Sequence, residues 1–437
     1  MNIRHIFKVS YMGSMVILLF LLLAGCHDLD FPNPNAPIVD DVPDQALVSG
    51  AEAGMRVDHA IYLRVVGSLG REVYYFEPAD PRYTGNLLRG TPDPGGFLVL
   101  RPWSGRYAVI RVCNELLNRA DQAGGATGAG IRGFAKTIKA YQLLLNLNYM
   151  DENGIKIIQS DDINTPFASK TESLNEIVKL LDEANTDLAN AGGSFSFELS
   201  SGFSGFDSPS TFAKFNRALR ARVAAYMEDW QGVLDALNGS FIDPSASLRL
   251  GVYHVYGTAL NDQTNEIFEN PEAPFVKLMA HPSFQTDAEP GDLRFSSKVV
   301  VRDLDENNVP DTTVFDDLSS TMGVTITSGS TDPFPIIRNE ELLLLRAEAN
   351  IQLGNLSAAE ADINVVRNAA GLGSVTLTDQ ASAIDQLLHE RRYSLFMEGH
   401  RWVDMRRYGR LNQLPVDRPG DVVLDKMPRP ETELPEG

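Results

Sequence analysis

Residues 390–409 read ERRYSLFMEGHRWVDMRRYG and give the strongest indication of the fold. Apolar residues recur at helical spacing on the approach to this stretch and in its first part, and they predict an amphipathic helix. They are Ile384, Leu387, Leu388, Leu395 and Phe396. Gly399 has no Cβ and allows the chain to bend or pack closely. Around it, charges of alternating sign are spaced three apart, which suits ion pairs along one helix face. These charges are Glu398, Arg401, Asp404 and Arg407.

This stretch resembles the C-terminal signature of the SusD/RagB family, which runs roughly Glu-Arg, then Phe-Glu-Gly-x-Arg-Trp-x-Asp, then Arg-x-Gly. Upstream, Pro335-Ile336-Ile337-Arg338 is similar to the segment that leads into the last helical pair of that family. The resemblance implies a nutrient-binding outer membrane lipoprotein that hands its ligand to a transporter. It covers essentially the whole mature chain and is strongest from Pro335 to Gly409.

A helix-turn-helix pair is predicted from Glu340 to Gly371. Gly354 occupies the turn, and small or branched residues follow the spacing of a tetratricopeptide repeat, in which small side chains let two helices approach closely. These residues are Ala347, Ala359, Ile363 and Val366. Asn350 stands where an aromatic residue is usual, so the repeat is degenerate. The SusD/RagB family is built on such repeats.

Further helical patterns also come in pairs, separated by two irregular regions. The predicted fold is mostly α, a tetratricopeptide-like helical-pair scaffold (an α-α superhelix) with long irregular loops and a few short β-strands. The irregular regions run from Phe76 to Trp103 and from Gly239 to Thr331. Long loops on a rigid helical frame are usually functional. With no Gly/Ser linker or abrupt change of charge, residues 45–437 are predicted to form one SusD/RagB-like domain.

The N-terminus predicts a lipoprotein. Basic residues precede an apolar run, Met15 to Ala24, that is shorter than the about 20 residues of a membrane-spanning helix and fits a signal peptide. Leu23-Ala24-Gly25-Cys26 matches a lipobox, so residues 1–25 are the predicted signal peptide and Cys26 the acylated residue. An ordinary secretory signal is the alternative. Residues 26–44, rich in proline, form the predicted tether. Asp28 and Asp30 resemble a surface-export signal and favour an outward-facing position on the outer membrane.

Composition restricts the partners. The chain carries a formal charge of −20 over 437 residues, which disfavours nucleic acid and gives no attraction to anionic lipid. Membrane attachment is therefore expected through the acyl chains on Cys26 alone. The second cysteine, Cys113, lies in an apolar helical pattern and is predicted to be a buried small hydrophobic residue.

No catalytic motif supports an enzyme. His389-Glu390-Arg391-Arg392 is followed by Tyr393, so the zinc protease pattern lacks its second histidine. The sequence has neither a Gly-x-Ser-x-Gly elbow nor a phosphate-binding glycine loop. We therefore predict a protein without enzymatic activity and without a cofactor. A glycan-degrading enzyme is the minor alternative, because the spacing of a carboxylate pair is not visible in sequence.

One acidic segment imitates the start of a calcium loop. Oxygen-bearing side chains recur at alternate positions, as in a calcium-binding loop. They are Asp303, Asp305, Asn307 and Asp311. The expected glycine and final glutamate are replaced by Asn308 and Val314. We therefore favour a solvated hairpin tip between Val299-Val300 and Thr313-Val314, with a bound calcium ion as the alternative.

Aromatic residues give the best indication of a ligand site. Sugars stack their C–H faces on aromatic rings while polar groups select their hydroxyls. Tyr75, Arg82 and Tyr83, with Phe97 in support, lie in or beside the first irregular region and are the predicted ligand-binding residues. Trp103 and Tyr107 resemble a SusD/RagB family position where Trp and Tyr begin a scaffold helix, and Trp230 and Trp402 lie in helical patterns. All four are assigned to the core.

The resemblance implies a surface-exposed lipoprotein that binds an oligosaccharide and delivers it to a SusC-like, TonB-dependent outer membrane receptor. Members of the family also bind oligopeptides, so that ligand remains an alternative. Because tetratricopeptide arrays commonly bind other proteins, an interaction scaffold is a further alternative. The sequence identifies neither the ligand nor the oligomeric state of a transporter complex.

Overall fold

Helices form the framework of the computed structural model, which describes residues 42–158 and 165–433. The helices are α1 Asp44–Gly54, α2 His59–Leu69, α3 Phe97–Ala123, α4 Gly125–Met150, α5 Lys170–Ala189, α6 Pro209–Tyr226, α7 Trp230–Asn238, α8 Ser283–Thr286, α9 Leu293–Ser296, α10 Asn339–Gln352, α11 Leu356–Ala369, α12 Gln380–Ser394 and α13 Arg401–Arg407. The strands are β1 Val73–Tyr75, β2 Ile155–Lys156, β3 Phe167–Ala168, β4 Gly251–His254, β5 Leu278–Ala280, β6 Val299–Val301, β7 Thr313–Phe315, β8 Leu318–Ser320, β9 Met322–Val324 and β10 Phe334–Arg338.

Consecutive helices pack against each other along the chain, from α3 through α7. The C-terminal pair α10 and α11 joins this stack because α10 packs against α6 and α7 and also against α12. The described chain from residue 47 onward is one compact unit. The predicted mostly α, helical-pair fold with a few short strands is therefore confirmed. The domain boundary at residue 45 stays a prediction.

The pair α10 and α11 has the predicted tetratricopeptide-like geometry. Gly354 lies in the turn with a φ of +79°, a left-handed conformation that suits glycine. The small Ala347 and Ala359 are fully buried between the helices, and Ile363 and Val366 are buried in the same core cluster. Close approach of the two helices therefore rests on the small residues that the spacing identified.

Helix α3 begins earlier than the sequence indicated. The predicted irregular region ran to Trp103, but the helix starts at Phe97 and contains Pro102. Proline has no N–H to donate to the carbonyl of the residue four positions before it, which is Leu98. The hydroxyl of Tyr149 donates to that carbonyl at 2.6 Å from the neighbouring helix α4. A side chain from another helix thus satisfies the acceptor that the proline leaves.

The strands form small antiparallel sheets. The order of the four-stranded sheet is β1-β5-β9-β6, and β10 pairs with β4. The predicted hairpin between residues 299–300 and 313–314 is wrong, because Val299 pairs with Val324 and Thr313 with Ser320. Strands β6 and β7 do flank the acidic segment, but β6 pairs with β9 and β7 pairs with β8. Strand pairing depends on contacts between distant residues, which alternation along the chain does not reveal.

The charges of residues 390–409 form a buried network, although only one predicted pair lies along a single helix. Asp404 accepts from Arg407 at 2.9 Å and from Arg391 of helix α12 at 2.7 Å. Glu398 pairs across the fold with Arg338 at the end of β10, at 2.7 Å. Arg401 donates to a backbone carbonyl of residue 70. The signature therefore ties α12, α13 and β10 together, and each charge has a partner that offsets part of its desolvation.

Candidate functional site

The four residues predicted to bind ligand lie together. The ring centroids of Tyr75 and Tyr83 are 4.7 Å apart, and those of Tyr83 and Phe97 are 5.7 Å apart, both edge-on. The guanidinium carbon of Arg82 lies 4.5 Å from the centre of the Phe97 ring. We call Tyr75, Arg82, Tyr83 and Phe97 the aromatic cluster. It joins residues from three separate elements.

Local sequence explains how each element presents its residue. Tyr75 ends strand β1, where it pairs with Leu278 of β5. Arg82 and Tyr83 lie in a short 3-10 helix, Pro81–Tyr83, in which proline occupies the first helical position. Asp80 caps this turn by accepting the backbone N–H of Arg82 at 3.2 Å. Phe97 begins helix α3 directly after two glycines.

The aromatic cluster has a buried half and an accessible half. Tyr75 and Tyr83 are only 5% and 4% exposed, so their rings belong to the core. Burial raises the pKa of Tyr83 to about 12, which keeps its hydroxyl protonated at neutral pH. The side chain of Arg82 is 40% exposed, and Phe97 is half-buried. A ligand on this surface would therefore contact Arg82 and Phe97, with the tyrosines supporting them from below.

Two charged residues that sequence reasoning missed hold the buried half in place. The guanidinium of Arg64 lies 4.2 Å above the Tyr75 ring, and the Tyr75 hydroxyl donates to Glu269 at 3.2 Å. Arg64 and Glu269 are themselves 3.8 Å apart. An arginine flanked by apolar residues on both sides within helix α2 is an unusual sequence signal that could have identified Arg64. Glu269 lies in the second irregular region and carries no such signal.

Arg82 retains hydrogen-bonding capacity for a ligand. Its Nε and one terminal nitrogen donate to Asp80, at 2.7 and 2.5 Å. Hydrogen bonding from Arg82 lowers the pKa of Asp80, so the pair is ionised at neutral pH. Since a guanidinium carries five N–H groups, donors remain beyond those used by Asp80. A charged donor beside an aromatic ring is chemistry suited to sugar hydroxyls or to a carbonyl group.

The acidic segment, residues 303–311, brings three carboxylates together. Oxygens of Asp303, Asp305 and Asp311 lie within 4.8 Å of one another. The Asp303 carboxylate accepts the backbone N–H of Asn307 at 3.1 Å, and the side-chain amide of Asn307 donates to Asp305 at 2.8 Å. Val309 donates its backbone N–H to the Asn307 oxygen at 2.7 Å. These bonds already engage part of the oxygen set that a calcium ion would require.

A cavity of about 720 Å³ lies on other residues, beside strands β4 and β10 and helices α9 and α11. Its walls combine apolar side chains with several charged groups, among them Arg249, Lys298 and Arg338. This volume falls within the range of about 300–1,000 Å³ that is usual for small-molecule sites. None of the residues predicted to bind ligand lines it.

The other residues singled out in the sequence either lie in or against the core or fall outside the described residues. Trp103 and Trp402 are buried, while Tyr107 and Trp230 are partly buried against the core. Cys113 is fully buried, and burial raises the pKa of its thiol to about 12. Cys26, Asp28 and Asp30 lie outside the described residues. In the part of the chain that the structure describes, no helix has the length and apolar character needed to cross a bilayer.

Comparison with known proteins identifies a family for the C-terminal part of the chain. Residues 311–432 match the SusD family. This segment contains the β10 strand, the α10–α11 pair and the charged signature around Gly399. A comparison with curated protein sequences gave no match.

Solved structures share the fold over most of the chain. A laminarin-binding SusD-like protein is 18% identical with a TM-score of 0.65, covering 89% of this chain and 96% of that one. Surface glycan-binding protein A from Bacteroides thetaiotaomicron is 14% identical with a TM-score of 0.68, with the same coverage of 89% and 96%. A SusD/RagB family protein from the same organism is 16% identical with a TM-score of 0.62, covering 87% of this chain and 91% of that one.

Proposed function

We propose, from the premise that this chain is a SusD/RagB-family protein, that it binds a nutrient at the cell surface and delivers it to a SusC-like, TonB-dependent transporter. The observation that carries the proposal is the SusD match of residues 311–432 within a fold shared with proteins described as glycan-binding. A binding protein needs a surface that holds its ligand reversibly. The accessible half of the aromatic cluster has that character.

An oligosaccharide is the proposed ligand. Two of the similar structures are named for binding laminarin or surface glycan. In this chain, Phe97 would offer its ring for a sugar to stack on and Arg82 would donate to the sugar hydroxyls. Tyr75 and Tyr83 would keep both in position from the core. Each stacking aromatic contact is worth on the order of 1 kcal/mol beyond the area it buries.

Calorimetry of the mature chain against a glycan panel and a peptide panel tests the ligand class. We expect an oligosaccharide to bind and the double variant Arg82→Gln, Phe97→Ala to weaken it about tenfold or more, which corresponds to about 1.4 kcal/mol. Arg111→Gln, which removes an exposed arginine from helix α3, is the matched control. Binding of a peptide and of no glycan would show that the ligand is an oligopeptide. Unchanged glycan affinity in the double variant would show that the glycan does not bind at the aromatic cluster.

The proposed placement is the outer leaflet of the outer membrane, through acyl chains on Cys26. Cys26→Ser should release the mature protein from the membrane fraction. Digestion of the wild type by protease added to intact cells would support an outward position. A Cys26→Ser protein that stays in the membrane fraction would contradict lipid anchoring.

The proposed partner is a SusC-like barrel receptor. Solubilisation in detergent followed by affinity purification of this chain should recover such a receptor in a stable complex. A gene for a barrel receptor beside the gene for this chain would support the transporter role. Recovery of soluble proteins alone, with no receptor gene nearby, would favour the interaction scaffold.

The protein is proposed to bind its ligand without converting it. Incubation of the purified chain with the oligosaccharide identified by calorimetry should leave that glycan intact on chromatography. Turnover that disappears on substitution of a single carboxylate would instead establish a glycan-degrading enzyme.

A further inference from the structure

The cavity beside β4 and β10 has both apolar walls and an open mouth. Phe334 and Phe396 line it and are 3% and 1% exposed, so they form its floor. Leu293 also lines it and is 57% exposed, which is high for a leucine. An exposed leucine at the mouth gives a ligand an apolar surface on entry. The cavity therefore suits a small molecule with an apolar or C–H face.

Among the described residues, four cations line the cavity, and two of them are neutralised within the protein. Arg338 pairs with Glu398 at 2.7 Å and also contacts Glu340. Arg294 pairs with Asp292 at 2.7 Å and Glu390 at 2.5 Å. Because each guanidinium faces two carboxylates, neither contributes net positive charge to the cavity.

Lys298 is different, because its ammonium has no carboxylate within ion-pair distance among the described residues. It donates instead to the backbone carbonyls of Tyr393 and Ser394, at the C-terminal end of helix α12. An ammonium has three N–H donors, so one remains. Burial, assisted by Arg338, lowers the pKa of Lys298 to about 8 despite the nearby Glu340 and Glu398. The positive charge is thus incompletely compensated.

Arg249 supplies the second available cation. Its side chain is exposed, and its guanidinium has no hydrogen-bond or ion-pair partner in residues 42–158 and 165–433. Its backbone is held in place because the Tyr253 hydroxyl donates to the Arg249 carbonyl. The nearby carboxylate of Asp332 is engaged, accepting from the hydroxyl of Ser328 at 2.7 Å and from the backbone N–H of Gly329 at 3.1 Å. The hydrogen-bonding groups in the cavity that remain available to a ligand are therefore mainly N–H donors.

We propose that this cavity binds a small carboxylate-bearing molecule, about the size of a monosaccharide or an amino acid, through Lys298 and Arg249. The carboxylate would accept from both cations, and charge-assisted hydrogen bonds of this kind are stronger than neutral ones. The rest of the molecule would pack against Leu293 and Phe334. A uronate unit of a glycan and the free C-terminus of a peptide share this chemistry. The site is separate from the aromatic cluster and does not depend on the proposed function.

Calorimetry with matched acid and neutral probes tests the proposal on the full mature chain. The probes are D-galacturonate against D-galactose, and N-acetyl-leucine against N-acetyl-leucinamide. We expect at least one acid to bind and its neutral counterpart to bind tenfold more weakly or not at all. Arg249→Gln and Lys298→Met should each reduce the affinity for that acid about tenfold. The acid that binds identifies whether a uronate or a peptide terminus is the source of the carboxylate.

Two control variants keep the outcome clear. Lys179→Met and Arg111→Gln remove exposed cations from helices α5 and α3 and should bind as the wild type does. Arg249→Gln tests the site even where Lys298→Met destabilises the fold, because the exposed Arg249 side chain has no partner among the described residues. Arg82→Gln should leave acid binding unchanged, which separates this site from the aromatic cluster. Absence of binding by both acids, equal binding of neutral probes, or wild-type affinity in Arg249→Gln would overturn the proposal.

Discussion

Glu72 makes the stability of this protein depend on pH in a direction opposite to that of most carboxylates. It is 1% exposed and follows helix α2. Its carboxylate accepts the backbone N–H of Met397, at 3.2 Å, a residue with a φ of +64°. Burial raises the pKa of Glu72 to about 7, although Arg401 and the Met397 N–H act against the shift.

The sign follows from comparing the two states. In the folded protein Glu72 has a pKa of about 7 against a reference value of 4.5, so the folded state holds this proton more tightly than the unfolded state. Its contribution to the free energy of unfolding is complete below the unfolded pKa and is lost as pH rises through the folded pKa. At about 1.36 kcal/mol per pKa unit, the contribution is about 3 kcal/mol, of which about three quarters is lost between pH 5 and pH 8.

Urea unfolding at several pH values from 5 to 8 measures this loss. Glu72→Gln keeps an acceptor for the Met397 N–H but does not titrate. The stability difference between wild type and Glu72→Gln should therefore change by about 2 to 3 kcal/mol across this range, with the wild type gaining relative stability at low pH. Glu228→Gln, at an exposed glutamate, is the control and should show no such trend. A difference that stays constant from pH 5 to pH 8 would refute the argument.

Three other outcomes are expected. Asp404→Asn removes the carboxylate that pairs with buried Arg391 and one of the two that pair with Arg407, the other being Glu348. It should lower the free energy of unfolding by about 3 to 5 kcal/mol in urea titrations; a loss below about 1 kcal/mol would show that the network is not critical. Tyr149→Phe should cost about 1 kcal/mol by the same assay, because the carbonyl that it satisfies loses its donor. Calcium should not change the thermal midpoint, since backbone and amide donors already engage the acidic segment; a clear rise with calcium that chelator reverses would establish the ion.

The sequence was sufficient where periodicity and local turn chemistry control structure. Gly354 and the small Ala347 and Ala359 defined a helical pair that the structure reproduces. It was insufficient where the partner is distant along the chain. Glu398 pairs with Arg338, sixty residues away, and helix spacing could not reveal that. Residues 97–103 looked irregular because the turn residues before them and Pro102 obscured the start of a helix.

The candidate site illustrates the same limit. The four residues of the aromatic cluster belong to one segment of about twenty residues and lie together in the structure, and their role in ligand binding stays a prediction. Sequence reasoning could not tell which rings face solvent, since Tyr75 and Tyr83 became core residues through contacts with Arg64 and with each other. The cavity beside β10 was missed for the opposite reason. Arg249 and Lys298 are far apart in sequence and belong to no motif, so only the folded chain brings them to one cavity.

The proline in helix α3 has an evolutionary consequence. Pro102 removes an amide donor and Tyr149 supplies a hydroxyl in its place, so the two positions are epistatic. In a Pro102→Ala background the restored N–H serves the Leu98 carbonyl, and loss of the Tyr149 hydroxyl should cost less than it does beside proline. A lineage would therefore lose the tyrosine hydroxyl at a lower cost in stability after the proline has gone. A single hydrogen bond thus favours one order of the two substitutions over the other.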